Sequence, residues 1–249
     1  ELMAQHSAKF GAEFDDHEVR AIKREGDRFH LFTAGGTCYP TYAIVLAMGT
    51  KLKQLGVAGE QEFLGRGVAY CTICDGPLFR GRPVAVIGQG DEGAAAAMRM
   101  AGIATTVDLI VPTPKLEAES ALQEQLRGTS NVTVREGAKV TEILGAQTGV
   151  TAVRFSQGGE AQELPVQGVF LELGLLPASS LAHDLGVELM EGDFIQTGSF
   201  QETNVPGIYA AGDITGHRAR QSVISAGEGA AAAVAAVDYI KAHNLGGNR

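Results

Sequence analysis

Apolar positions along the chain change spacing several times, and each change marks an element. Leu2, Met3, Phe10 and Phe14 are spaced for one face of a short amphipathic helix over 2–14. Val19 and Ile22 mark a strand over 16–23, Phe29 to Thr33 alternates as a second, and Gly35-Gly36 supplies a turn. Tyr42 to Met48 is a continuous apolar run, the pattern of a strand buried on both faces, and it ends at Gly49-Thr50. Residues 51–67 are rich in Gly, Lys and Glu without any period, which places a domain connection there. Then follow a strand at 82–88, a helix at 92–101, a strand at 105–111 and a helix at 116–126, a βαβα run that implies a parallel sheet. Strand-like stretches at 132–134, 139–144 and 150–155 continue the domain, and 169–173 returns the chain. A second connection falls at 174–179, before a short buried strand at 207–211 and a long helix at 220–239. The pattern predicts an α/β fold in which the two ends form one domain, 1–53 and 178–249, with a second, 54–177, inserted between them.

Composition narrows the classes of function. The 249 residues suffice for two ordinary domains, and the 45% hydrophobic content is that of a globular chain with buried sheets. A net charge of −9 argues against a general nucleic-acid or anionic-membrane surface, which needs a basic excess. No segment reaches the ~20 apolar residues of a membrane span, and the alanine-rich run 230–237 is too short. The sequence starts at Glu1, so a preceding targeting segment stays open.

Three cysteines are too few for a disulfide scaffold, and the pair Cys71-x-x-Cys74 reads as redox-active or metal-binding. Four-cysteine zinc is arithmetically impossible, and a three-cysteine, one-histidine site would need Cys38 and a histidine to converge without a second short-spaced pair. No metal is therefore expected. Cys38, in Gly-Thr-Cys-Tyr-Pro, reads as a buried or turn-flanking structural thiol. If Pro77 or Leu78 opens a helix, Cys71 and Cys74 lie at its N-terminal end, where partial positive charge favours the thiolate. Asp75 has two readings, a helix N-cap and a proton donor to the departing thiolate. Gly88, Gly90 and Gly93 follow a strand and open a helix, the context in which GxGxxG signals a dinucleotide-binding turn.

The stretch from Phe63 through Cys71-Thr-Ile-Cys74-Asp75-Gly76, together with Tyr209-Ala-Ala-Gly212-Asp213 and Arg220-Gln221, resembles the low-molecular-weight thioredoxin reductase family over the whole chain. That resemblance implies two Rossmann-like, three-layer dinucleotide-binding domains, with an NAD(P)-type domain carrying the redox disulfide inserted into an FAD domain. It implies that Cys74 faces the flavin and that Asp75 is the proton donor. It implies that Gly49, Gly212, Asp213, His217, Arg220, Gln221 and Ser222 contact FAD, and that Gly88, Gly90 and Gly93 contact the nicotinamide nucleotide. On residue type alone, His217 reads as a partly exposed loop histidine, and Asp213, Arg220 and Gln221 as a turn residue, an exposed cation and a cap. The family's first flavin fingerprint is expected some tens of residues before Glu1, which makes this an N-terminally incomplete FAD domain. A cytoplasmic homodimer acting on a thioredoxin-like protein is implied in the same way.

The electron donor stays open between NADPH and NADH. After the second strand the family's NADPH members carry a basic His-Arg-Arg run with another arginine a few residues later, whereas this chain has Val111-Pro-Thr-Pro-Lys115 and then Glu117. A 2′-phosphate prefers a bidentate guanidinium to a lysine point charge. An NADH site would place a carboxylate at the strand's end, where Val111 is apolar and Asp108 stands three residues short. The Pro-x-x-Lys run is similar to the NADH-using alkyl hydroperoxide reductase flavoprotein. The alternatives to a thioredoxin reductase are thus a peroxiredoxin-reducing NADH flavoprotein, a ferredoxin-dependent flavin enzyme and a non-catalytic flavoprotein regulator.

Overall fold

A computed structural model describes residues 2–217 and 219–247, and the chain divides into two compact units, 1–51 with 176–249, and 52–175. Both crossings lie two residues before the predicted boundaries. The first unit opens with α1 (Leu2–Lys9), which buries no residue. The predicted helix over 2–14 stops early because Gly11, at φ +85°, donates its N–H to Ala8 while Ala12 donates to Ser7, a pair of bonds that closes a helix end. Strands β1 (Val19–Glu25), β2 (Arg28–Thr33) and β3 (Cys38–Thr41) form an antiparallel sheet in that order. Cys38 flanks the turn as expected but is exposed on the edge strand, not buried. In β4 (Ile44–Leu46), Ile44 and Leu46 are buried while Val45 is 37% exposed, so the apolar run covers one face of its strand rather than both. β5 (Thr50–Leu52) carries the chain out of this unit.

The second unit is built of three layers. It contains β6 (Val68–Ala69), a 3-10 turn at Gly76–Phe79, β7 (Val84–Gly88), α2 (Gly90–Ala101), β8 (Val107–Val111), α3 (Ser120–Gly128) and β9 (Val132–Glu136). It continues through β10 (Ala138–Ala146), β11 (Gly149–Gln157), β12 (Glu160–Pro165) and β13 (Gly168–Glu172), before β14 (Leu175–Pro177) leads out. The parallel sheet has the order β6-β13-β7-β8-β9, and β10-β11-β12 form a separate antiparallel sheet. Every residue of β7 and β8 is buried, because alternate side chains serve opposite layers. Val84, Val86, Val107 and Leu109 pack with α2 and α3 residues, whereas Ala85, Ile87 and Ile110 pack with Val140, Val153 and Phe155 of the antiparallel sheet. α3 begins at Ser120 rather than Leu116, because Leu116 is a core plug in the preceding loop, its N–H donated to the Glu136 carboxylate at 2.8 Å.

The first unit resumes with α4 (Ser180–Asp184), β15 (Ile208–Ala210), a 3-10 turn at Gly212–Ile214 and α5 (Ser222–Ala242). β15 pairs parallel with β4, Tyr209 opposite Val45. Among the described residues α5 is one helix long and apolar enough, by length and composition alone, to cross a bilayer, which corrects the expectation that no segment reaches that length. It packs on this unit through Ala232 and Ala236 and accepts a hydrogen bond from the Tyr209 hydroxyl at the Ala235 carbonyl.

Candidate functional site

Three places in the two units gather the predicted chemistry. In the second unit, Cys71 and Cys74 are joined as a disulfide with Cα atoms 5.3 Å apart. The loop between them closes as a helical turn: Asp75 N–H donates to the Cys71 carbonyl at 3.0 Å, and Gly76 N–H to that of Thr72 at 3.2 Å. Gly76 packs closely on α2, where a Cβ would come 3.0 Å from Met100 Sδ. Cys74 N–H donates to Cys71 Sγ at 3.0 Å, a bond that favours negative charge on that sulfur. The helix predicted after the pair is only the four-residue 3-10 turn, so it brings little dipole. Asp75 occupies its N-cap position, yet its side chain makes no capping bond. An open cleft of about 320 Å³ runs beside the pair, lined by Leu64, Tyr70, Cys71, Asp75, Leu78 and Phe79 among others.

The strand leading into this loop is anchored from below. Glu60, 2% exposed, accepts the N–H groups of Leu55 and Gly56 at 2.9 and 2.7 Å and the Tyr70 hydroxyl at 2.6 Å. Burial, and then this bond, hold the Tyr70 phenol above its ordinary pKa. The carboxylate therefore fixes Tyr70, the residue before Cys71. Glu60 lay in the segment read as a connection without pattern, and a lone glutamate gives no signal of burial.

The second place is the glycine turn between β7 and α2. A Cβ on Gly93 would lie 2.8 Å from the Gly88 carbonyl carbon, and one on Gly88 would lie 2.8 Å from the Glu172 carbonyl oxygen. Helix and strand thus approach as closely as two glycines allow. Gly90 has φ +63°, and a Cβ there would meet only Glu117 O at 3.7 Å, so its outer side is open. The first turn of α2 carries Asp91 and Glu92, and Asp91 accepts the Glu119 N–H at 2.7 Å. Asp108 is buried and ion-paired to Arg135 at 2.7 Å, and Glu136 is engaged with Leu116. Lys115 is exposed.

The third place, in the first unit, is a cleft of about 190 Å³ lined by Ala47, Gly49, Gly212, Asp213, Ser225 and Gly229, with Ala211. Gly49, at φ +64°, and Gly229 have nothing within 4 Å of a would-be Cβ. Gly212, at φ +79°, donates its N–H to Glu228 at 2.7 Å, and Asp213 accepts the Ser225 hydroxyl at 3.4 Å. Ser225 and Glu228 went unread and Gly229 was read only as part of a small-residue packing face, although Ser222, Ser225 and Gly229 stand three and four residues apart on one helix face. His217, Arg220, Gln221 and Ser222 do not line this cleft. His217 is exposed, Arg220 stacks over the Phe194 ring at 4.5 Å and donates to the His217 carbonyl, Gln221 is the α5 N-cap and Ser222 its first residue. Arg218, in the same predicted flavin segment, lies outside the described residues. Among those described, no group of three or more His, Cys, Asp or Glu is placed to hold a metal ion.

A glycine-turn βαβ unit with a two-cysteine disulfide, inserted into a second α/β unit with its own small-residue cleft, defines a dinucleotide-fold disulfide protein. Residues 4–236 match the family described as pyridine nucleotide-disulphide oxidoreductase, and the chain belongs to it. It is 37% identical over 247 residues to a subunit of alkyl hydroperoxide reductase from Staphylococcus aureus, covering 95% of this chain and 48% of that protein. The chain thus spans about half the length of the curated relatives it matches. The thioredoxin reductase of Streptococcus pyogenes superposes with a TM-score of 0.89 at 29% identity, covering 97% of this chain and 79% of that one. That of T. acidophilum is 37% identical with a TM-score of 0.63, over 97% and 79% of the two chains. Fold and family agree with the resemblance read from the motifs.

Proposed function

We propose that this chain passes two electrons from a reduced donor to the Cys71–Cys74 disulfide, and from the resulting dithiol to a thioredoxin-like protein. The observation that carries the reading is the disulfide itself, set on a turn beside an open cleft within a nucleotide-type unit. Cys74 is exposed, so an incoming protein disulfide has access to the pair. Asp75, half-buried beside the sulfurs and unused as a cap, is positioned to hold the proton that a departing thiolate takes.

FAD fits the first unit. Gly49 and Gly229 leave a cradle that a Cβ would fill, and Asp213 offers a carboxylate to a hydroxyl-rich chain. We assign Gly49, Gly212 and Asp213 to that role, with Ser225 added; residues 1–51 and 176–249 are then the FAD-binding unit and 52–175 the nucleotide-type unit. Bound FAD would supply a carrier that accepts a hydride and delivers a pair of electrons.

The glycine turn fits a pyridine nucleotide in shape, since Gly90 is open and α2 begins there. Its charge opposes a diphosphate, because Asp91 and Glu92 sit in the first turn. Glu92→Gln is therefore expected to tighten NADH or NADPH binding about two- to fivefold, the equivalent of roughly 0.5–1 kcal/mol at a helix N-terminus, measured by calorimetric titration at low salt. Unchanged or weaker affinity would remove the nucleotide from this turn. With Asp108 and Glu136 engaged and Lys115 the cation of the following loop, the choice between NADH and NADPH falls to direct titration.

Identity to the alkyl hydroperoxide reductase relatives favours a second reading, in which the partner is a peroxide-reducing protein with a thioredoxin-like exchange step. A homodimer is also proposed, consistent with Val223, Val234 and Val237 exposed on α5. The deciding test is anaerobic titration of the FAD-reconstituted protein with NADH and, separately, NADPH, following the flavin absorbance. Bleaching by one names the donor, whereas bound FAD that neither bleaches overturns the nucleotide-dependent reading.

A further inference from the structure

Thr72, the first of the two residues between the cysteines, is 2% exposed, and its hydroxyl is held from two sides. The Arg99 guanidinium, on α2, donates to Thr72 Oγ1, and the same hydroxyl lies 3.4 Å from Glu172 Oε1 as its donor. The Thr72 backbone also favours the ionised form of Glu172. Glu172 ends β13, where its own carbonyl abuts Gly88 of the glycine turn. Glu92 and Arg99 stand seven residues apart, two turns along one face of α2, and both act on Glu172. A polar strip thus runs from the glycine turn to the disulfide loop, with a mostly buried carboxyl at its centre.

Burial first, and then Glu92, push the Glu172 carboxyl up to about 7, against the opposing pull of Arg99 and the two Thr72 bonds. The charged groups facing it are Glu92 and Arg99 from α2; β7 presents Gly88, and the redox loop presents Thr72 between the two sulfurs. We propose that Glu172 is a positioning residue of the redox loop that takes up a proton when the Cys71–Cys74 bond is reduced. This rests on the pair being redox-active, as argued above.

The step balances as follows. Two electrons and two protons enter from a dithiol, which is oxidised to its own disulfide. The S–S bond breaks, Cys74 takes one proton, and Cys71 stays a thiolate, stabilised by the Cys74 N–H. The new negative charge, on the residue next to Thr72, raises the proton affinity of Glu172, which takes the second proton. Below pH 7 Glu172 is already protonated in the disulfide form and contributes nothing. Above pH 7 it is ionised in the disulfide form and protonated in the dithiol form, so the pair takes up both protons that the donor releases and the exchange is level with pH; without that uptake one proton is released and reduction becomes easier as pH rises.

The test is equilibration of the full chain with oxidised and reduced dithiothreitol from pH 6 to 8.5, with the dithiol fraction counted by alkylation and mass spectrometry. Between pH 7 and 8.5 the wild-type equilibrium constant is expected to stay level while that of Glu172→Gln rises, the two diverging by up to about tenfold per pH unit, or about 30 mV for this two-electron couple. Glu92→Gln, on the exposed start of α2, removes a repelling charge and is expected to move the start of the level region to lower pH. Parallel pH dependences for all three proteins overturn the inference. A disulfide that dithiothreitol cannot reduce at any pH overturns the redox reading instead, so the two failures are distinct.

Discussion

Replacing either Cys71 or Cys74 with serine is expected to lower reduction of a thioredoxin-like disulfide by at least about a thousandfold, because exchange needs one sulfur to attack and a second to resolve. Electron entry should survive in the same variants. In the FAD-loaded protein, reduction of a small one-electron acceptor such as ferricyanide by the accepted nucleotide should stay within about twofold of wild type, because neither cysteine lines the cleft assigned to FAD. The pattern to look for is exit lost and entry kept. If the serine variants still reduce the protein disulfide, the proposed route is wrong. If both activities vanish together, the cysteines are holding the fold, and the variants report on structure.

The second large effect lies away from the sulfurs. Glu60→Ala strands the Leu55 and Gly56 N–H groups and the Tyr70 hydroxyl, all of which end on one buried carboxylate. Losing hydrogen bonds to a buried charged group costs about 1.5–3 kcal/mol each where the donors stay dry, so a loss of about 3 kcal/mol or more is expected in urea unfolding of the 52–175 unit. Glu60→Gln keeps the shape and part of the acceptor capacity, and should lose roughly half as much. Because Tyr70 leads directly into Cys71, the alanine variant should also loosen the redox loop, seen as faster amide exchange at Thr72 and Gly76. A loss under about 1 kcal/mol would mean that water replaces the carboxylate, and that the anchor is not one.

What could be read in advance follows from how local its cause is. β7, α2 and β8 were legible because continuous Val, Ile and Leu runs and the glycine spacing belong to the residues themselves. The stop of α1 at Lys9 was also local, written in Gly11, and was overlooked in favour of Phe10 and Phe14, which prove exposed. β12 was missed because Glu160–Pro165 is polar and exposed, held as an edge by pairing with β11 rather than by burial. At the candidate site the motif residues Cys71, Cys74, Gly88, Gly90, Gly93, Gly212 and Asp213 announced themselves. Glu60, Thr72, Arg99 and Glu172 did not, since each is an ordinary polar residue whose role arises from partners elsewhere in the chain. Asp108, read as standing three residues short of the strand's end, is taken by Arg135, a partner that its own position does not reveal.

The place of β13 bears on how the protein is made. This strand is the last of its sheet to be synthesised, yet it lies between β6 and β7, paired with Ala69 on one side and Ile87 on the other. Until roughly a hundred residues after β6 have left the ribosome, β6 has no partner and the inner edge of β7 stays open, a long wait of the kind that slows folding of parallel sheets. The flanking unit waits longer still, because among the described residues β4 pairs with β15 alone, more than 160 residues later. The Cys71–Cys74 segment therefore emerges before β13 and sits on an unfinished sheet, its thiols open to mispairing with other cysteines, until β13 brings Glu172 to Thr72.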